Sequence, residues 1–91
     1  MRLKDVLALP KDVNSLQLLQ TFLNQPLDYA DHMAAFLHYI DILHDVKSYD
    51  LLLSESVQLI QRYKHQSYDD AIDRVLEVII HVYLELNQPK D

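Results

Sequence analysis

Neither glycine nor cysteine occurs anywhere in this chain of 91 residues. Average usage of about 7% would give roughly six glycines. Tight β-hairpins turn through positive φ, which glycine enters at the least cost, so a glycine-free chain disfavours a sheet built from them. Any helix here must also end without a glycine cap. Without cysteine there is no disulfide, no zinc–thiolate site and no thiol nucleophile. Lysine and arginine are missing from the whole stretch 12–46, which holds Asp12, Asp28, Asp31, Asp41 and Asp45. A phosphate backbone would be repelled by that stretch, so no nucleic-acid partner is expected. No window reaches the roughly 20 apolar residues of a membrane span. Met1-Arg2-Leu3-Lys4-Asp5 lacks the apolar run of a signal peptide. The expectation is a soluble cytoplasmic protein with no membrane partner.

What is present is apolar and periodic. Hydrophobic residues make up 49% of the chain and the net charge is −6, which is the balance of one folded acidic domain over 1–91 and not of a disordered segment. Three times a short polar cap is followed by tyrosine, acid and an apolar run at helical spacing. The copies begin at Asp28-Tyr29-Ala30-Asp31, Ser48-Tyr49-Asp50 and Ser67-Tyr68-Asp69-Asp70. Neighbouring starts lie about 19–20 residues apart, enough for one helix of four to five turns and a tight connection. The pattern predicts an all-α fold of four antiparallel helices near 15–24, 28–45, 49–64 and 68–87. They form a small bundle or two stacked α-hairpins, preceded by a short N-terminal helical turn through Leu3, Val6 and Leu7.

Each helix has a legible apolar side. Leu16, Leu19 and Leu23 mark the first, capped by Asp12 or Asn14 and followed by Pro26. On the second, Tyr29, Met33, Phe36, Leu37, Ile40 and Leu43 share one side, with Asp31, His38, Asp41 and Asp45 opposite. The third carries Leu52, Leu53, Ser56, Leu59, Ile60 and Tyr63. Ser56 at the centre of that stripe predicts a close helix approach, its hydroxyl bonded back to its own backbone. Ser67 with Asp70 reads as a variant capping box opening the last helix. That helix is the most apolar, and its stripe exceeds the ~100° face that one packed neighbour needs. Either it is the central helix, or part of it packs on something else. Leu76, Val78, Ile80, Val82 and Tyr83 are therefore the candidate partner or homodimer surface.

The sequence offers little chemistry. His38, Asp41, His44 and Asp45 fall within two turns, as do metal-binding imidazoles and carboxylates in other proteins. A metal-dependent hydrolase built on this His/Asp cluster is the remote alternative. The helical wheel, however, sends His38, Asp41 and Asp45 to solvent and His44 toward the core, so no metal site is expected. The His44-Asp45 dipeptide of the HD phosphohydrolases lacks its further histidine on another helix. Asp69, Asp70, Asp73 and Glu77 form the polar side of an amphipathic helix and supply no Glu-x-x-Glu pair. No phosphate loop or nucleophile–base order can be assembled. Tyr29, Tyr49 and Tyr68 at helix starts read as packing residues whose rings cover a joint. No catalytic residue, no cofactor and no enzyme activity are expected.

From Tyr68-Asp69-Asp70-Ala71-Ile72 to Leu84-Glu85-Leu86-Asn87-Gln88-Pro89-Lys90-Asp91, the chain resembles the second helix of a tetratricopeptide-type hairpin. Ala71 stands at the small-residue position, with Val75 and Val78 at the packing positions after it. The resemblance covers about a quarter of the chain. The tryptophan-leucine-glycine start is missing, and the two-helix period is about 38–39 where such repeats use 34. The resemblance implies a helical-hairpin array that binds proteins or peptides and has no active site. The expected function is thus a non-catalytic protein–protein interaction module of a bacterial-type soluble protein, the N-terminal part of a helical repeat array, binding another protein or itself. The alternative is a small acidic inhibitor or immunity-type protein that blocks one target.

Overall fold

A computed structural model describes residues 2–64 and 69–87. All regular structure among them is helical: α1 (Leu3–Leu7), α2 (Val13–Leu23), α3 (Tyr29–Asp45), α4 (Tyr49–Arg62) and α5 (Asp70–Leu86). Three of the starts are set by aspartate. Asp12 accepts from the Ser15 amide at 3.0 Å, Asp28 from Asp31 at 2.8 Å and Asp69 from Ile72 at 2.9 Å. Each bond satisfies an amide that the first turn of a helix leaves without a partner. The cap on α2 is Asp12 and not Asn14, which starts that helix at Val13, ahead of the expected residue 15. Asp69 likewise starts α5 at Asp70, where 68 was expected. The Ser67 capping box and Tyr68 lie outside the described residues.

The missing glycines leave one visible cost. α3 ends in a left-handed residue, Lys47, with φ 62°. Ser48 N–H donates to Leu43 C=O at 2.9 Å and Lys47 N–H to His44 C=O at 3.1 Å. This is a Schellman closure, in which glycine is the usual left-handed residue and a Cβ-bearing one is strained by roughly 1–2 kcal/mol.

Among the described residues α3 is the central element, touching α1, α2, α4 and α5, whereas α5 meets α3 and α4. α3 buries His32, Met33, Ala35, Phe36, Tyr39, Ile40, Ile42 and Leu43. That set covers about half of its circumference at 100° per residue, wider than the one-sided stripe read from the sequence. The expectation that the last helix could be the central one is corrected accordingly. The helices form two layers: α1, α3 and α5 lie side by side, α2 sits over the α1–α3 seam and α4 over the α3–α5 seam. The Cα envelope of 45 × 33 × 17 Å is thin in one direction, as two layers about 8–10 Å apart require. Among the described residues there are thus five helices in place of four and a turn. α1 is a true packing element, with Val6 fully buried. Ser56 is buried at the α4 contact as expected, but its hydroxyl has no hydrogen-bond partner, so the predicted bond to its own backbone is not formed.

Candidate functional site

α5 has two unlike flanks. Arg74, Glu77, Val78, His81 and Glu85 border a groove shared with α3 and α1. The opposite flank, on the far side of α4, is apolar and open. Ile80 is 57% exposed, Tyr83 49% and Leu84 61%. At i, i+3 and i+4 these side chains lie on one strip of helix surface, and half-buried Leu76 extends it by one turn. The neighbouring flank of α4 adds Val57, 43% exposed. The reason it faces this way is geometric: Glu55, Gln58, Leu59 and Arg62 turn the other flank of α4 toward the end of α2, leaving Leu53, Val57 and Ile60 beside α5. Asp73, exposed, runs along the apolar strip, and Glu77, also exposed, stands on the ridge between that strip and the groove.

The groove encloses about 770 Å³, within the range of small-molecule sites. Ala34, Leu37, Ile40 and Val78 form its apolar lining and Leu7 of α1 borders it as well. Its polar groups come from facing helices. His38 Nε2 donates to Leu9 C=O at 3.0 Å, tying α3 to the turn after α1. Lys11 Nζ stands 2.8 Å from Asp41 Oδ2. His44 Nε2 donates to Glu85 Oε1 at 2.9 Å, while the Tyr49 hydroxyl donates to Glu85 Oε2 at 2.7 Å. Those two bonds, Tyr49 first, hold the Glu85 carboxyl below the usual glutamate range. The same bond raises the Tyr49 hydroxyl.

The tyrosines at helix starts do more than cover joints. Tyr29 and Tyr49 occupy the first positions of α3 and α4, and each donates its hydroxyl to a carboxylate of the α5 region. Tyr29 bonds Asp69 at 2.7 Å and Tyr49 bonds Glu85 at 2.7 Å, so α5 is fastened at both ends. Burial, and then the Asp69 carboxylate, pushes Tyr29 up to about 12. Asp69 is held low, first by the Ile72 amide and then by the Tyr29 hydroxyl. Beside Tyr29, the Tyr63 ring packs edge-on at 4.9 Å, and the Tyr63 hydroxyl shares a 2.9 Å hydrogen bond with His32 Nδ1. Burial, followed by the charge of Arg62, lowers the basicity of His32. Sequence reading gave Tyr63 a place in the stripe of the third helix and His32 none in that of the second. It missed the aromatic cluster because Tyr63 and His32 meet only across two helices.

The five residues expected to form a partner surface separate. Ile80 and Tyr83 are on the open flank, Leu76 is half-buried at its edge, Val78 lines the groove, and Val82 is 0% exposed in the core. Leu84, on that open flank, is an exposed residue that the expectation left out. It lies one turn beyond Ile80 and could have been found by extending the stripe. His38, Asp41 and His44 each hold a different partner. Among the described residues no group of three or more histidine, aspartate and glutamate side chains converges as a metal site. No helix is long and apolar enough to cross a membrane, among the described residues. Compared with known protein families, curated proteins and solved structures, the chain matches none.

Proposed function

We propose that this chain is a non-catalytic protein-interaction module and that the open flank of α5 is the surface it offers. The observation that carries the reading is the exposed strip of Ile80, Tyr83 and Leu84, continued by Val57 of α4. Large apolar side chains grouped on one helix flank cost solubility, and they are a common mark of an interaction site. The layering supports the same reading. A helix laid beside α4 on the far flank of α5 would repeat what α4 does over α3 and α5, and what α2 does over α1 and α3. The partner is an amphipathic helix with its apolar side on the strip and lysine or arginine along its edges, because Asp73 and Glu77 border the strip and the chain carries −6. A second copy of this chain would bring the same acids to the same edge, which favours a different protein over a homodimer. The alternation of hairpins is in keeping with the tetratricopeptide-type resemblance. A small acidic inhibitor of one basic target is the second reading, favoured by the base-free stretch 12–46.

The test is binding of a leucine/lysine amphipathic helical peptide to the wild type and to an Ile80→Asp, Leu84→Asp double variant. The wild type, monomeric by light scattering, should bind the peptide. The double variant should keep its circular dichroism and lose about tenfold or more in affinity, since two large apolar contacts are each replaced by a charge. Equal binding by the two proteins would sink the reading, and a dimer abolished by the double variant would replace the foreign partner with a second copy.

A further inference from the structure

We propose that the pocket between α2, α3 and α4 binds a free ω-amino carboxylate, with its carboxylate on Arg62 and His32, its alkyl chain on Phe36 and Leu59, and its ammonium on Glu55. The pocket measures about 250 Å³, which suits a small molecule and not a helix. It lies across α4 from the open flank of α5 and shares no residue with it, so the inference is independent of the protein-binding reading. Phe36 and Leu59, both buried, supply the apolar lining, and Leu23 and Asn24 at the end of α2 close one wall.

The anionic end is assigned by two donors that converge on one space. His32 is only 6% exposed. Its Nδ1 is taken by the Tyr63 hydroxyl. Its Nε2 forms no hydrogen bond among the described residues. Nor is that nitrogen sealed in the core, where the unpartnered polar atom is Ser56 Oγ. Nε2 is therefore the edge that His32 presents to the pocket it lines. With Tyr63 donating to Nδ1, the ring proton sits on Nε2, which becomes a donor. The same tyrosine holds the second donor, because the Arg62 guanidinium carbon lies 5.5 Å from the centre of its ring. Burial, and then the charge of Arg62, lower the basicity of His32, so the two groups share one neighbourhood. Arg62 has no ion-pair partner among the described residues. A neutral N–H beside a guanidinium, both fixed by one tyrosine, is a seat for a carboxylate.

The cationic end follows from Glu55, the acid of the lining. It is half-buried and likewise forms no ion pair among the described residues. Seven residues, two turns or roughly 10 Å along α4, separate it from Arg62. It stands at the Tyr39 end, where burial and, less, the Glu55 charge raise the Tyr39 hydroxyl. Five methylenes bridge most of that span, over Phe36 and Leu59. A half-buried carboxylate without a partner carries a desolvation cost, which an ammonium offsets. A plain carboxylate would also have to approach a chain of net charge −6, whereas a dipolar ligand has no net charge to be repelled.

The matched probes are 6-aminohexanoate, hexanoate and hexylammonium, read at pH 7 by amide NMR shifts and calorimetry on the intact chain. 6-Aminohexanoate should shift Asn24, His32, Glu55 and Arg62 and bind at least about fivefold tighter than either single-ended probe, the worth of one partly exposed charge contact. Arg62→Gln should reduce it to the affinity of hexylammonium, and Glu55→Gln to that of hexanoate. Both side chains reach the surface of α4, and circular dichroism checks that the helices are kept. The Ile80→Asp, Leu84→Asp variant should bind 6-aminohexanoate as the wild type does, which separates this site from the α5 flank. Hexanoate binding as tightly as 6-aminohexanoate would leave an anion site alone, and hexylammonium doing so a cation site alone. Either result overturns the proposal, as does an unchanged affinity in either single variant or a set of shifts that misses the pocket.

Discussion

α3 and α5 are the same length, 17 residues, and each carries eleven apolar residues. Yet α3 buries eight side chains and α5 three. Composition therefore does not decide which helix becomes the centre. α3 has elements on both sides of it in the chain, so α1 and α2 cover one part of its surface while α4 and α5 cover another. Its small residues help, since Ala35 at full burial admits a neighbour closely. α5 has apolar side chains over well more than half of its circumference and, among the described residues, two neighbouring helices. Hydrophobicity beyond what two neighbours can cover ends on the surface, and there it becomes a means of recognition.

Substitutions can break this comparison. The largest effect is expected at Val82, wholly buried at the contact of α5 with its neighbours. Val82→Asp should cost more than about 4 kcal/mol and unfold the chain, whereas Ile80→Asp, two residues away, should change stability by no more than about 0.5 kcal/mol. Urea denaturation followed by circular dichroism separates the two. Next comes a size change without charge. Leu43→Ala in α3 should cost about 2–5 kcal/mol, and Leu84→Ala in α5 about 0.5 kcal/mol or less. If the two costs are equal, α3 does not hold the centre.

Smaller effects sharpen the picture of α3. His32 is less basic in the folded chain, first because it is buried and then because of Arg62. The unfolded chain binds that proton more readily, so stability is full above the ordinary histidine value of about 6.5 and declines as pH falls below it. Melting curves between pH 7 and 5 should show the decline, and His32→Gln should flatten it. Lys47→Gly should stabilise by about 1 kcal/mol, because glycine takes the left-handed closure of α3 without the Cβ strain. Ser56→Ala, where a buried hydroxyl lacks a partner, should be neutral or stabilising by up to about 1 kcal/mol. A loss of stability there would mean that the hydroxyl is satisfied in solution.

Helix content, and the starts of α3 and α4, were readable from the chain because caps and periodicity are local. Asp28 and Ser48 announce these helices within a few residues, and the tyrosine after each cap marks the first turn. The excess hydrophobicity of the last helix was readable too, since a stripe wider than one face can be counted from the sequence. What remained open was its direction. Val82 and Ile80 are equally apolar, and only the positions of α3 and α4 put one in the core and the other in solvent. The groove was hidden for a related reason. His38, His44, Glu77 and His81 come from two helices separated by some 30–40 residues of chain, and no local pattern links them. Nor could the bonds from Tyr29 to Asp69 and from Tyr49 to Glu85 be foreseen, because they span 40 and 36 residues. Helices form from hydrogen bonds four residues long and from caps three residues long, so the chain specifies them nearly alone. Which face of a helix meets which neighbour depends on how all five share one core, and that is settled only when they pack.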